Sequence, residues 1–162
     1  MVASCSYEAR KYGVHSAMPS RMAKLLRPQA IFVRGNMDQY SKASLEITDI
    51  LRERVPLIEK ASIDEHYIDM TGMDRFHGVM KYAHELRSQV IKETGLPISF
   101  GLSVNKTVSK MANNECKPNG ELNIEQPKGN RLFTSYSAVH PLSGNYGVLL
   151  WISTYSQRKD RY

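Results

Sequence analysis

The clearest hydrophobic period in the 162-residue chain runs from Met37 to Val55. Tyr40, Ala43, Ile47, Ile50 and Leu51 fall on one stripe at helical spacing, which predicts an amphipathic helix. Pro56 ends it. A second stripe, Val79, Ala83, Leu86 and Val90, predicts a helix over residues 78–94, with Gly95 as its C-terminal stop. A third helix is expected from Lys106 to about Glu115. Between the helices the period shortens. Leu57 to Ile63 and His66 to Thr71 read as two strands of a hairpin, and Ile98, Phe100, Leu102 and Val104 alternate as a strand over residues 97–104. Pro118-Asn119-Gly120 is a turn, and Leu122 to Ile124 a further short strand. The order from Met37 is therefore α-β-β-α-β-α-β. It predicts an α+β layer, an antiparallel or mixed sheet with helices on one face.

The flanks follow other rules. Val2 to Cys5 reads as a short strand, and Ser6 to Pro19 as loop, because Gly, His and charge are mixed there. Ser20 is expected to cap a short helix through Leu26, stopped by Arg27-Pro28. Ala30 to Val33 is an apolar, strand-like run ended by Gly35. This first part looks like a small separate lobe. From Lys128 to Tyr162 the chain is rich in Ser, Tyr and Gly and keeps no period, although Val148 to Ile152 has the character of a strand.

Composition narrows the classes. The net charge of +6 points to an anionic partner, of which nucleic acid is the commonest for a soluble domain. Arg10, Lys11, Arg21, Lys24, Arg27 and Arg34 crowd the first part, and Lys106, Lys110 and Lys117 form a second group. No run is long and apolar enough to span a bilayer, and the N-terminus lacks the order of a signal peptide. Two cysteines, Cys5 and Cys116, make no disulfide framework. A cytoplasmic, reduced protein is expected.

Candidate chemistry centres on Asp64 and Glu65, adjacent acids between the two runs of the hairpin. At a bend, neighbouring side chains can converge, and two converging carboxylates repel unless a cation lies between them. Mg²⁺ or Mn²⁺ suits such oxygen ligands. Taken alone, an Asp-Glu pair is more often an exposed acidic turn. His66 and His77 lack the partners that zinc requires and read as solvated histidines.

Several segments then align in one order. Ser4-Cys5-Ser6-Tyr7-Glu8-Ala9-Arg10-Lys11-Tyr12-Gly13-Val14 precedes Ser16-Ala17-Met18-Pro19. Ser62-Ile63-Asp64-Glu65 with Tyr67 and Asp69, Gly101-Leu102-Ser103 with Asn105-Lys106, and Lys117-Pro118-Asn119-Gly120 follow. Over about Val2 to Gln126 the chain resembles the Y-family DNA polymerases, the translesion enzymes, and most of all their bacterial polymerase IV branch. The resemblance implies a fingers lobe at 1–36, most of a palm at 37–127 and an unmatched tail at 128–162. It implies that Asp64 and Glu65 are catalytic and hold Mg²⁺, in a two-metal site that Mn²⁺ also fits. It implies that Tyr7, Arg10 and Lys117 grip the triphosphate of a deoxynucleoside triphosphate, with Ser4 as a further phosphate contact. DNA primer-template is the implied partner, joined in complete members by a sliding clamp. Against these roles stand plainer ones: Tyr7 and Arg10 as cover for the small lobe, and Lys117 as a solvated lysine at a helix end. Ser62 and the second lysine group are alternatives for touching template or primer phosphates.

Departures from the family pattern matter too. Members begin with a strand carrying a first catalytic Asp, and a thumb follows Lys-Pro-Asn-Gly; neither is visible here. The expectation is an incomplete palm lacking its first strand, with an open sheet edge, in a truncated or frameshifted product that does not run polymerisation alone. The alternative is a non-catalytic DNA- or nucleotide-binding remnant. A nucleotide cyclase is disfavoured because the acidic hairpin lacks glycines, and an RNA-recognition sheet because residues 98–102 lack its aromatic pattern.

Overall fold

The computed structural model describes residues 1–71 and 78–124, together with the backbone of residues 147–152. His77 and the rest of the 128–162 tail lie outside the described residues. The helices are α1 (Tyr7–Arg10), α2 (Ser20–Leu26), α3 (Met37–Arg52), α4 (Val79–Thr94) and α5 (Lys106–Glu115). The strands are β1 (Ile58–Lys60), β2 (Glu65–Asp69), β3 (Ile98–Ser103), β4 (Glu121–Ile124) and β5 (Gly147–Ile152). They form two compact units, one of Met1–Gln39 and one from Tyr40 through β5.

In the first unit Cys5, Val14, Met18 and Ala23 make a small core. The Cys5 thiol donates to the Val14 carbonyl at 3.2 Å. Part of the stretch expected to be loop is helical instead. Ser6 caps α1 by accepting from the Ala9 N–H at 3.2 Å, an interaction that fixes a single turn without any hydrophobic period to announce it. Pro19, not Ser20, stands at the N-cap of α2, and Ser20 is its first helical residue. The 2–5 and 30–33 runs are not strands. Val2 exchanges bonds with Ala17 and Met18 in a loop, and Ile31 and Val33 are 90% and 84% exposed. Apolar residues without a partner ladder have no reason to stay extended.

The second unit is built on one mixed sheet of order β1-β2-β5-β3-β4. β1–β2, β2–β5 and β5–β3 are antiparallel, and β3–β4 are parallel. The open edge expected from a missing strand is not there. β5 lies between β2 and β3, with Ile68 and Leu102 both opposite Val148. A tail segment therefore satisfies the backbone groups that face each other across that gap.

α3 and α4 cover one face, as the periodicity implies. Ile47, Ile50 and Leu51 from α3 meet Ala83, Leu86 and Val90 from α4 over Ile68, Ile98, Phe100 and Leu102. Tyr40, expected on this stripe, is exposed, and Ser44 and Thr48 are buried in its place. α5, which links the parallel strands β3 and β4, rests on the alternate residues of β3. A Cβ at Gly101 would stand 2.2 Å from the Ser109 carbonyl oxygen, 2.5 Å from the Asn113 nitrogen and 2.8 Å from the Ala112 Cβ. All six residues of β3 are consequently buried, so the strand is covered on both faces. Among the described residues no helix is long and apolar enough to cross a membrane.

Gly101→Ala is expected to destabilise the fold by about 3 kcal/mol, because the two nearest colliding atoms are backbone and cannot turn aside. Gly95→Ala, at φ +68 with nothing within 4 Å, is expected to cost about 1 kcal/mol through its left-handed backbone alone. Urea unfolding of the two variants checks the ranking.

Candidate functional site

The acidic hairpin is set by its turn. β1 and β2 pair with Ile58 opposite Ile68 and Lys60 opposite His66. The Ala61 and Ser62 N–H groups both donate to the Glu65 carbonyl, at 3.0 and 3.2 Å. Asp64 thus closes the turn and Glu65 opens β2. The Ser62 hydroxyl donates to Asp64 Oδ1 at 2.7 Å and fixes that carboxylate. The Glu65 side chain is only 12% exposed and meets the Lys110 ammonium, with Oε1 at 2.9 Å and Oε2 at 3.1 Å. The hydrogen bond to Glu65, more than any other influence, holds the Lys110 pKa above its usual value. The counter-charge of Glu65 thus comes from α5.

Lys106 makes the parallel arrangement one turn earlier. Its ammonium pairs with Glu59 and lies 5.2 Å from the centroid of the Tyr67 ring. Burial pushes the Tyr67 phenol upward, against the opposing pull of Lys110. Lys106 and Lys110, read from sequence as alternatives for phosphate contact, therefore sit on carboxylates. Asp69 accepts from the Thr71 N–H at 2.9 Å.

Beneath the hairpin His66 is fully buried, not solvated as its sequence context suggested. The single Thr48 hydroxyl proton goes to the Ser44 carbonyl at 2.6 Å. His66 Nε2, 2.8 Å from Thr48 Oγ1, must then be the donor. Nδ1 is left as a bare acceptor without a hydrogen-bond partner among the described residues. Burial first, and Lys60 second, lower the His66 pKa from 6.5 to about 4, with Asp64 pulling the other way. The ring is neutral at physiological pH.

α5 carries the remaining candidate. Asn105 caps it by accepting from the Val108 N–H at 2.9 Å. Lys117 follows its last turn, just past the Cys116 C-cap. The Lys117 ammonium donates to Asn114 Oδ1 at 3.1 Å. The Lys117-Pro118 bond is cis, and Asn119 adopts a left-handed φ of 52. Gly120 is required because a Cβ there would lie 2.0 Å from the Cys116 carbonyl oxygen.

In the first unit Tyr7 opens α1 and Arg10 closes it, so they share one turn. The Arg10 guanidinium carbon is 5.6 Å from the Tyr7 ring centroid, a cation–π distance that keeps both side chains on one side of the helix. Arg10 is exposed, while Tyr7 and Ser4 are half-buried. Ser4, Tyr7 and Arg10 thus belong to one unit, and Asp64, Glu65 and Lys117 to the other. Sequence reasoning missed Lys110 as the partner of Glu65. An ion pair between residues 45 apart leaves no local trace. Among the described residues no group of three or more His, Cys, Asp or Glu side chains is placed to hold a metal.

Residues 1–114 match the impB/mucB/samB family. A protein named DNA polymerase IV from Treponema denticola is 46% identical over 121 residues, covering 74% of this chain and 31% of that protein. One of the same name from Marinomonas sp. is 39% identical over 145 residues, covering 89% of this chain and 41% of that protein. Among solved structures, an insertion ternary complex of Dbh DNA polymerase superposes with a TM-score of 0.72 at 32% identity, over 78% of this chain and 37% of that one. The crystal structure of DinB from Sulfolobus solfataricus matches with the same TM-score and coverage. The chain spans about a third of the length of such relatives. The Y-family resemblance carried by the motifs is borne out.

His66 gives the second unit a defined pH signature. Its folded pKa is depressed, so between pH 6.5 and about 4 the unfolded chain binds a proton that the folded chain refuses. Stability is full above 6.5 and falls as the pH drops through that window, by up to about 3 kcal/mol. Urea unfolding at pH 7.5, 6, 5 and 4.5 checks this, with His66→Gln expected to show a shallower decline over the same range.

Proposed function

The chain belongs to the impB/mucB/samB family, and from that membership we propose that it carries the nucleotide- and metal-binding part of an error-tolerant, template-directed DNA polymerase of the translesion type. The reaction joins a deoxynucleotide to a primer terminus opposite damaged template, as a cytoplasmic repair function. The single observation that carries the reading is the pair Asp64 and Glu65, adjacent on one tight turn, with the Glu65 carboxylate already matched by a cation from α5.

The donor set suits a divalent metal. Mg²⁺ is held in such sites by one or two carboxylates together with substrate phosphates and water, and Asp64 and Glu65 supply two hard oxygen donors. When bound, the metal gathers charge on the phosphate oxygens during transfer. The chain's own residues do the rest. Ser62 holds the Asp64 carboxylate in one orientation. Lys110 gives the poorly solvated Glu65 carboxylate a counter-charge at 2.9 Å and would be displaced by a bound divalent ion. Arg10 offers a planar fork that matches two phosphate oxygens, Tyr7 one hydroxyl donor, Lys117 a point charge from a fixed turn, and Ser4 a further hydroxyl.

A second reading, binding of nucleotide or DNA without chemistry, draws support from the net charge of +6. Three measurements separate the readings. Mn²⁺ titration followed by electron paramagnetic resonance should show binding that weakens about tenfold in Asp64→Asn or Glu65→Gln, the loss of roughly one charge-assisted ligand. Lys110→Met should tighten Mn²⁺ in the absence of nucleotide by removing its competitor. Unchanged affinity in all three variants would overturn the metal assignment. Primer extension by a chimera in which this chain replaces the matching segment of a complete family member then decides between the classes: incorporation abolished by Glu65→Gln supports the polymerase, and salt-sensitive DNA binding without incorporation supports the binding module.

A further inference from the structure

The Lys117–Gly120 turn is held by a side chain that the proposed chemistry does not use. Arg87 projects from α4 and is only 11% exposed. Its guanidinium makes four hydrogen bonds to three places. Nε donates to the Ile98 carbonyl at 2.8 Å, on β3. NH1 donates to Glu121 Oε1 at 2.8 Å, at the start of β4. NH2 donates to Asn119 twice, to its backbone oxygen at 2.9 Å and to its Oδ1 at 2.7 Å. Glu121, itself 18% exposed, also meets His84 Nδ1 at 2.8 Å.

The turn needs such a hold. Asn119 stands in the left-handed region, where a residue with a side chain persists only if its surroundings determine it. Gly120 is tied to β3 on one side, with its N–H donating to Ser99 Oγ at 3.2 Å and its carbonyl accepting from the Phe100 N–H at 3.2 Å. Arg87 ties Asn119 on the other. Both atoms it takes from Asn119 lie two residues from Lys117, so the fork fixes the backbone from which the lysine projects. A lysine could not replace it: an ammonium is a point donor and cannot span four acceptors on three residues.

We propose that Arg87 is a positioning residue for triphosphate binding, clamping the Lys117–Gly120 turn so that the Lys117 ammonium is presented from one place. This rests on the reading of Lys117 as a triphosphate contact. Arg87 touches no substrate; its effect passes through Lys117.

The test is binding of a fluorescent N-methylanthraniloyl-dATP with Mg²⁺ to the full chain. Lys117→Ala is expected to weaken binding about tenfold, as loss of one charged contact does. Arg87→Lys and Asn119→Ala are expected to weaken it about three- to fivefold each, and neither should weaken it further when Lys117 is already alanine. That non-additivity is what a purely structural arginine would not produce. If Lys117→Ala binds as the unaltered chain does, or the unaltered chain does not bind, the triphosphate reading falls and the proposal with it. If Lys117→Ala weakens binding while Arg87→Lys and Asn119→Ala do not, or their losses add to it in full, the positioning role is overturned and the triphosphate reading stands. Asn119→Ala leaves Arg87, Glu121 and Ile98 joined, so a folding failure in Arg87→Lys does not remove the test.

Discussion

Helix α5 lies where it does because residue 101 has no side chain. The approach of its backbone to β3, with a Cβ at that position falling 2.2 Å from the Ser109 oxygen, is closer than any other residue permits. From that contact the rest of the site follows. The helix axis is set against the sheet, its first two turns bring Lys106 and Lys110 to Glu59 and Glu65, and its end delivers Lys117 to a turn that returns directly into β4. A looser packing would leave Glu59 and Glu65 without their ammonium partners.

Charge around the hairpin is balanced in layers. The outer carboxylates are matched by ammonium groups from α5, and Asp64 by a hydroxyl two residues before it. His66 beneath them stays neutral because its burial is more costly to a charged ring than the nearby Asp64 is helpful. A neutral ring with an Nε2 donor anchors β2 to Thr48 on α3 without placing a second positive charge below Glu65. The same position charged would compete with any cation drawn to the acids.

Much of this was legible in the chain. The α3 and α4 stripes, the Gly95 stop, the alternation over β3, the hairpin around Asp64 and Glu65 and the turn at Pro118 are local patterns, and local patterns reach the reader intact. The fold class followed from their order. What did not show were interactions between distant residues. β5 takes an interior place in the sheet, and no period in the Ser- and Tyr-rich tail says which strands it joins. α1 depends on one hydroxyl cap. The 30–33 run looks like a strand because apolar β-branched residues favour one, yet without a partner it does not form. Lys110 looked like a phosphate ligand from its neighbours in sequence and is an ion-pair partner by its neighbours in space.

The two cations of α5 then acquire different characters from the same helix. Lys110 is seated on the Glu65 carboxylate in the middle of the helix. Lys117 leaves the helix at its end, where the next residue is proline and the one after is held by a guanidinium from another element. One lysine sits against a carboxylate, and the other donates to Asn114 from a turn that Arg87 holds. Removing a charge partner frees a side chain, whereas loosening a backbone displaces it. That difference is why the Arg87 fork bears on Lys117 more than on Lys110: the turn that carries Lys117 is fixed through Asn119, whereas Lys110 sits against Glu65.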